Sequence, residues 1–152
     1  MKLREATEND IPILVEIGRK FIQESPNFRD RGFDELATIQ HFKCLISGGG
    51  VIFLLEKDGL ICGGFVGGMG GDWFNNQKIA FDYVLYVKPE FRKTTAAYTL
   101  VKAFIDWAKS NGADRVQCGT TTGIESAACI NLYNKFGFKC VGALLDLELN
   151  DV

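Results

Sequence analysis

A strand, an amphipathic helix and a second strand follow one another between residues 78 and 119, and this unit constrains the fold more than any other stretch. "KIAFDYVLYV" is an apolar run rich in aromatic and β-branched residues, which predicts a strand that Pro89 ends. From about Thr95 to Ser110, apolar residues recur at helical spacing, and Asn111-Gly112 marks the stop. "DRVQCGT" then predicts another strand. Two strands joined by a helical crossover lie parallel in one sheet, so the unit predicts an α/β fold.

The residues on either side of this unit make the predicted sheet mixed. "KLREA" is a short strand candidate, followed by a helix opened by Thr7 and a second helix from about Asp34 to Ile46. "VIFLLEKDGLICGGFVGG" predicts a hairpin, because Lys57-Asp58-Gly59 separates two apolar runs. "IESAACINLYNKF" predicts a shorter helix and "FKCVGALLDLEL" a closing strand or pair of strands. The predicted order is β-α-α-β-β-β-α-β-α-β in a single domain of residues 1–152, an α/β (α+β) architecture with a mixed twisted sheet.

Glycine pairs at positions 63-64, 67-68 and 70-71 lie in and just after the predicted hairpin. No G-x-x-x-x-G-K-[ST] pattern is present and no helix pattern follows, which argues against a phosphate-binding loop. Glycines within a strand are typical of a twist, a bulge or the close approach of a ligand or another backbone. We expect one of these structural roles here.

Composition excludes several classes of function. The chain has 17 Lys and Arg against 19 Asp and Glu, a net charge of −2, so it has no overall electrostatic attraction for nucleic acid or an anionic membrane. Its apolar runs fall short of the roughly 20 residues that a membrane helix needs. We therefore expect a soluble, cytoplasmic protein, a monomer or homodimer, without a nucleic-acid or membrane partner. Five cysteines without C-x-x-C spacing and the single His41 predict no metal site.

The start of the long helix is a candidate anion site. A helix start leaves its first N–H groups without intrahelical acceptors and carries the positive end of the helix dipole. Two basic residues precede it and small side chains would let a phosphate approach the backbone, in the run Arg92, Lys93, Thr94, Thr95, Ala96 and Ala97. The pattern is typical of a pyrophosphate cradle, and equally of a threonine helix cap beside two solvated basic residues.

Three stretches together carry a resemblance to a known family. "VLYVKPEFRKTTAA", followed some 35 residues later by "LYNKFGF", resembles the acyl-CoA-binding signature of the GNAT superfamily of N-acetyltransferases. The opening "LREATENDIPILVEI" is similar to the usual first strand and helix of that family. The match extends over almost the whole chain, and the predicted element order agrees with it.

The resemblance implies a GNAT fold with a splay between the two central parallel strands, and a function. That function is transfer of an acetyl group from acetyl-CoA to a primary amine of a small molecule or protein, directly in a ternary complex. Leu85, Tyr86 and Val87 would present backbone groups to the pantetheine arm and the thioester carbonyl. The loop from Arg92 to Ala97 would wrap the pyrophosphate, Ser126 would contact the cofactor arm, and Tyr133 would donate a proton to the departing thiolate.

The residue that takes the proton of the amine is less obvious. An amine with a pKa near 10.4 arrives protonated, so a base is required. Where family members often have a glutamate, this chain has "TTT" with Thr121, which cannot act as a base. Asp82, flanked by Phe81 and Tyr83, is the only carboxylate on the earlier strand, and an apolar setting would raise its pKa. We predict Asp82 as the base; otherwise it is a contact for the substrate ammonium or a solvated residue.

Two departures from the family pattern motivate an alternative function. Thr95 stands where the family has a glycine, so the loop must avoid a positive φ there or be strained, and Ser126 stands where an asparagine is usual. With the missing glutamate, they allow a non-catalytic acyl-CoA-binding sensor or interaction module on the same fold. Five aromatic residues are candidates either for acceptor contacts or for buried anchors: Phe28, Phe33, Trp73, Phe74 and Tyr83.

Overall fold

A five-stranded mixed sheet organises the chain. The computed structural model describes residues 1–151, with only the backbone of Asp151, so Val152, the last residue of the predicted domain, lies outside the described residues. The strands lie side by side in the order of the sequence, the first four antiparallel and the fifth parallel to the fourth. They are β1 (Lys2–Glu5), β2 (Gly50–Lys57), β3 (Leu60–Gly71), β4 (Lys78–Val87) and β5 (Arg115–Gln117).

Four α-helices pack on the two faces of this sheet. They are α1 (Ile11–Glu24), α2 (Glu35–Cys44), α3 (Ala96–Ser110) and α4 (Ser126–Lys135). One buried cluster joins α1 and α2 to the sheet and a second joins α3 and α4 to it. Neighbouring residues of β3 face opposite clusters, Phe65 towards α3 and Val66 towards α1, as strand geometry requires. None of the helices in residues 1–151 has the length and apolar character needed to cross a membrane.

The predicted hairpin and α/β fold class are confirmed. Lys57 pairs with Leu60 across a two-residue turn in which both Asp58 and Gly59 have positive φ, 53° and 79°. This backbone matches the strand twist and suits an Asp-Gly pair. The helical start predicted at Thr7 is a short 3₁₀ turn, Glu8–Asp10, that leads into α1, and the Thr7 N–H donates to the Asp10 carboxylate at 2.8 Å.

The glycines of β3 stand where neighbouring groups leave no room for a side chain. A Cβ on Gly63 would lie 2.5 Å from the Tyr86 carbonyl oxygen, and one on Gly67 would lie 2.3 Å from Cε1 of Phe104. Phe104 of α3 stacks on Phe65 with ring centroids 4.3 Å apart. The expected structural role of these glycines, close approach of other groups to the strand, is confirmed.

The predicted closing strand, "FKCVGALLDLEL", is wrong for the described structure. Residues 138–148 pair with no strand, and a short 3₁₀ turn, Leu149–Asp151, follows them. A groove of about 610 Å³ lies between β5 and the beginning of this segment, so the segment lacks the ladder partner that defines a strand. Its apolar side chains are uncovered, Val141 at 90% and Leu145 at 93% exposure. The apolar residues of this segment suit a strand, but a strand also needs a partner, and none is present in the described residues.

We predict that Gly67→Ala destabilises the protein by about 1–3 kcal/mol, because the added methyl group overlaps Phe104 and lies 2.8 Å from the Phe81 carbonyl oxygen. Urea denaturation measures the change. Gly142→Ala is the matched control, since a Cβ there meets nothing within 4 Å, and it should change stability by less than about 0.5 kcal/mol. Equal effects of the two substitutions would contradict the steric account of β3.

Candidate active site

The two parallel strands separate in the middle of the sheet. β4 and β5 pair only from Ile79 to Phe81, opposite Arg115 to Gln117. Beyond this point, which we call the fork, β4 continues to Val87 without a partner on its β5 side. The register of β3 against β4 also shifts here, so that Tyr83 bulges out of the ladder. The predicted splay is confirmed.

A cleft of about 400 Å³ extends from β4 beyond the fork to the start of α3. Seven of the predicted cofactor residues line it: Leu85, Tyr86, Val87, Arg92, Thr94, Thr95 and Ala97. The other three do not. Lys93 is exposed beside the cleft, Ala96 is fully buried beneath the helix start, and Ser126 is the first residue of α4.

The loop before α3 is both a cap and a helix start open to the cleft. The Thr94 hydroxyl donates to the Phe91 carbonyl at 2.6 Å and accepts from the Ala96 N–H at 3.2 Å. Thr95 has a φ of −80°, so the loop avoids the positive φ of a glycine and is unstrained at this position. Within residues 1–151, no acceptor contacts the N–H groups of Ala97 and Tyr98. Two first-turn donors therefore remain available to an anion.

Arg92 is held in place by the protein itself. Its Nε donates to the Val87 carbonyl at 2.8 Å, and its Nη atoms form a two-pronged ion pair with Glu24 at the end of α1. Glu125 lies 3.8 Å from the same guanidinium, which also covers the Tyr86 ring. Arg92 lowers the pKa of Glu24, mainly through their hydrogen bond, so that carboxylate stays charged. The arginine therefore faces the cleft with much of its charge already balanced.

Asp82 occupies the fork. Both of its carboxylate oxygens lie 3.3 Å from the N–H of Gly119, just beyond β5. Burial disfavours the charged form and raises the pKa of Asp82 to about 6, against the opposing hydrogen bond from Gly119. The predicted direction of the pKa shift is confirmed, and a carboxylate with this pKa can exchange a proton near neutral pH.

Tyr133 lies beneath the cleft and does not line it. Only 6% of its surface is exposed, and its ring packs on Phe138 with centroids 5.2 Å apart. Its hydroxyl lies near the Cys118 thiol, and the Asp82 carboxylate is close enough to raise the pKa of both groups. Burial raises the pKa of Tyr133 and of Cys118 far above their ordinary values, so both keep their protons. Asp82, Cys118 and Tyr133 thus lie in one buried neighbourhood.

Comparison with protein families gives one match, the model of the acetyltransferase (GNAT) family, over residues 17–138. The chain belongs to the GNAT family. Its matched part begins within α1 and ends just after α4, so it includes the fork, the cleft and the loop before α3. The prediction of an acetyl-CoA-dependent acetyltransferase is confirmed at the level of the family. A comparison with curated protein sequences found no significant match.

Solved structures similar to this GNAT chain share its fold. The aminoglycoside N-acetyltransferase AAC(6')-Iy in complex with CoA has a TM-score of 0.77 at 14% identity, over 97% of this chain and 93% of that one. A predicted acetyltransferase with acetyl-CoA from Clostridium acetobutylicum has a TM-score of 0.73 at 19% identity, over 99% and 97%. A ribosomal-protein-alanine N-acetyltransferase from Brucella melitensis has a TM-score of 0.76 at 22% identity, over 93% and 86%. These likenesses concern the fold.

Nine further residues line the GNAT cleft to which the sequence analysis assigns no role, and two of them, Leu132 and Lys135, belong to the motif "LYNKFGF": Phe21, Tyr98, Thr122, Ile124, Glu125, Ala128, Cys129, Leu132 and Lys135. The α4 members follow helical spacing and form one face beside the motif residue Tyr133, so periodicity could have found them. Phe21 and the loop from Thr122 to Glu125 carry no local signal, because tertiary packing alone brings them to the cleft. In the described part of the chain, no three His, Cys, Asp or Glu side chains are placed to hold a metal ion.

We predict that the wild type becomes less stable as pH rises from about 4 to about 6, and that Asp82→Asn does not. The unfolded carboxyl loses its proton near the ordinary value of 3.8, whereas the folded one holds it to about 6. In that window the folded state binds more protons, so stability falls with rising pH, by about 1–2 kcal/mol after allowance for partial solvation. Urea denaturation at pH 4 to 7 tests this. Asp30→Asn, at an exposed carboxylate, is the control and should keep the wild-type slope.

Proposed function

We propose that this GNAT protein transfers an acetyl group from acetyl-CoA to a primary amine of a small molecule or protein, directly in a ternary complex. The observation that carries the proposal is the continuous cleft from the fork to the start of α3. One end offers β4 backbone groups without a ladder partner, and the other offers free N–H groups at a helix start with small side chains. A thioester carbonyl suits the first end and a pyrophosphate the second.

The comparisons support the same cosubstrate. Similar folds have been solved with CoA and with acetyl-CoA, and acetyltransferases among them act on acceptors as different as an aminoglycoside and a ribosomal-protein alanine. This range supports the amine class without choosing an acceptor. The proposal includes one catalytic domain over residues 1–152, a cytoplasmic location and a monomer or homodimer. It includes neither a nucleic-acid nor a membrane partner, and no metal.

The chain's own residues would divide the work along the cleft. Backbone groups of Leu85, Tyr86 and Val87 would hold the pantetheine arm and stabilise negative charge on the thioester oxygen. The loop of Arg92, Lys93, Thr94, Thr95, Ala96 and Ala97 would wrap the pyrophosphate, chiefly through its N–H groups and Lys93, because Glu24 already balances Arg92. Ser126 would contact the cofactor arm from the start of α4.

The proton transfers fall to the pair at the fork. Asp82 would take the proton of the attacking amine, directly or through a water molecule, since burial places its pKa at about 6. Tyr133, which its raised pKa keeps protonated, would donate its hydroxyl proton to the departing thiolate and recover a proton from the amine nitrogen, which loses its second proton when the amide forms. For this transfer the thioester sulfur must come within reach of a hydroxyl that lies near Cys118.

A second candidate is an acyl-CoA-binding sensor or interaction module without catalysis. The burial of Tyr133 against Cys118 favours it, as does Thr95 in place of a glycine. The two candidates differ in one measurement. An acetyltransferase releases free CoA thiol in the presence of a suitable amine, whereas a binding module does not release thiol with any member of an amine panel.

We expect acetyl-CoA and CoA to raise the melting temperature, and ATP and NAD to leave it unchanged. A ligand that binds only the folded state stabilises it by RT ln(1 + [L]/Kd), about 2.7 kcal/mol at a hundred times Kd. Parallel thermal unfolding with the four ligands makes the measurement. Stabilisation by ATP or NAD with none by either CoA species would refute both candidates.

We predict that Tyr133→Phe lowers kcat on the order of 10²-fold and leaves affinity for acetyl-CoA unchanged. Phenylalanine keeps the buried packing against Phe138 and removes only the hydroxyl group. Steady-state kinetics with thiol detection give kcat, and the melting temperature with and without acetyl-CoA controls for folding and binding. Full turnover by the variant would end the role assigned to this hydroxyl.

A further inference from the structure

The C-terminal end of α1 touches both walls of the cleft. Glu24, the last residue of the helix, binds Arg92 on the β4 side. Ser25, the next residue, binds the loop that leads from β5 to α4. Two adjacent residues thus reach across the space where β4 and β5 no longer pair.

On the β4 side the contact is a network of charge and hydrogen bonds. Both Glu24 carboxylate oxygens engage the Arg92 guanidinium, whose Nε also holds the last carbonyl of β4, that of Val87. The Tyr86 hydroxyl donates to the same carboxylate at 3.3 Å. A two-pronged arginine–carboxylate pair fixes geometry as well as adding energy. The end of α1 is therefore oriented rigidly against the end of β4.

On the other side the contact is made through backbone carbonyls of the loop. The Ser25 hydroxyl donates to the Thr122 carbonyl at 2.6 Å, and Ser25 is 0% exposed. The Asn27 side-chain amide donates to the Thr121 carbonyl at 2.7 Å. Gly123 comes so close that a Cβ there would lie 3.2 Å from the Asn27 amide. Thr122 itself lines the cleft, so these bonds position its wall.

The loop needs such a tether because its own backbone is irregular. Beyond Gln117 it has no ladder with β4, and it contains two left-handed residues, Gly123 and Glu125, with φ of 78° and 45°. A non-glycine residue at positive φ costs about 1–3 kcal/mol and persists only where the surroundings enforce it. Contacts on both sides of this strained stretch hold it. The Arg92 guanidinium lies near the Glu125 carboxylate, and the Ser25 hydroxyl donates to the Thr122 carbonyl.

We propose that Glu24, Ser25 and Asn27, here called the α1 clasp, are positioning residues that set the separation of the two walls of the cleft. The catalytic part of the proposal rests on the function proposed above. With no ladder between β4 and the loop, the clasp supplies the connection that the sheet lacks, and the thioester binds between walls held at one distance. A misplacement of about 1 Å can lower a rate on the order of 10²-fold, so a loosened clasp lowers kcat and weakens acetyl-CoA binding together.

The first test measures the walls directly. Amide hydrogen exchange is compared for wild type, Ser25→Ala and Asn27→Ala, with the exposed sites Ser110→Ala and Asn76→Ala as matched controls. Each clasp variant is expected to speed exchange at least tenfold at the amides of Gly119 and Ile124, whose N–H groups donate to Asp82 and Thr122, leaving α3 and the β1–β3 sheet unchanged. Asn27 is exposed, so its variant keeps the test valid if the buried Ser25→Ala chain does not fold. Unchanged exchange at Gly119 and Ile124 overturns the proposal.

The second test separates positioning from simple stability. Relative to wild type, Ser25→Ala, Asn27→Ala and Glu24→Gln are each expected to raise KM for acetyl-CoA and to lower kcat, each on the order of tenfold, at temperatures where every chain is fully folded, whereas the two control variants should match wild type. The double variant Glu24→Gln/Ser25→Ala should have less than the product of its two single effects, since opening one side of a clasp releases the other. Multiplicative effects, or faster exchange with unchanged KM and kcat, overturn the positioning role. A wild type that binds no CoA refutes the proposed function, and the exchange data still judge the clasp.

Discussion

The parting of β4 from β5 is the constraint on which the site depends. A strand that loses its ladder partner leaves N–H and C=O groups that must find other partners or face solvent. Around the fork this demand is met in three ways. The Gly119 N–H beyond β5 donates to the Asp82 carboxylate, the Val87 carbonyl accepts from Arg92, and Leu85 and Tyr86 face the cleft. The cleft therefore lies along an unpaired section of β4. Hydrogen bonds fix the two ends of this section, and its middle can contact a ligand.

Ion pairing and burial determine which groups carry charge in the cleft and at the fork. Arg92 is balanced by Glu24, so the positive features that remain at this end of the cleft include the N–H groups at the start of α3, Lys93 beside the cleft and the cleft residue Lys135. At the fork, burial pushes the pKa of Asp82, Cys118 and Tyr133 upwards together. Three acids share one low-dielectric space, and only Asp82 titrates near neutral pH. The same desolvation that makes the carboxylate basic keeps the phenol protonated.

Local patterns predicted those parts of the structure that local chemistry determines. Asp58-Gly59 formed its hairpin, the strand that ends before Pro89 and the helix that follows it were found, and the aromatic neighbours of Asp82 gave the direction of its pKa shift. The sequence could not decide whether the loop requires a positive φ at Thr95. The φ of this residue is negative, so the loop needs no glycine there.

What the sequence did not predict depends on contacts between residues far apart in the chain. Phe21 lines the cleft, and Glu24 and Ser25 bind its walls, because α1 packs on the sheet, and no motif marks these residues. Ser25 and Thr122 are 97 residues apart. The closing strand failed for a related reason. Its alternation of Val141, Leu145 and their neighbours describes the two faces of a strand, whereas a strand exists only when another backbone accepts its hydrogen bonds.

The glycines of β3 have a consequence for how this gene can change. Gly63, Gly64 and Gly67 contribute no side chain to the core, yet a methyl group on any of them would meet a neighbour at 3.0 Å or less. Nearby core positions can exchange one apolar residue for another of similar volume, but a glycine in van der Waals contact has no smaller or equal substitute. These glycines, which have no side chain, are thus among the positions of β3 least free to change. Mutational tolerance along β3 should be lowest at them.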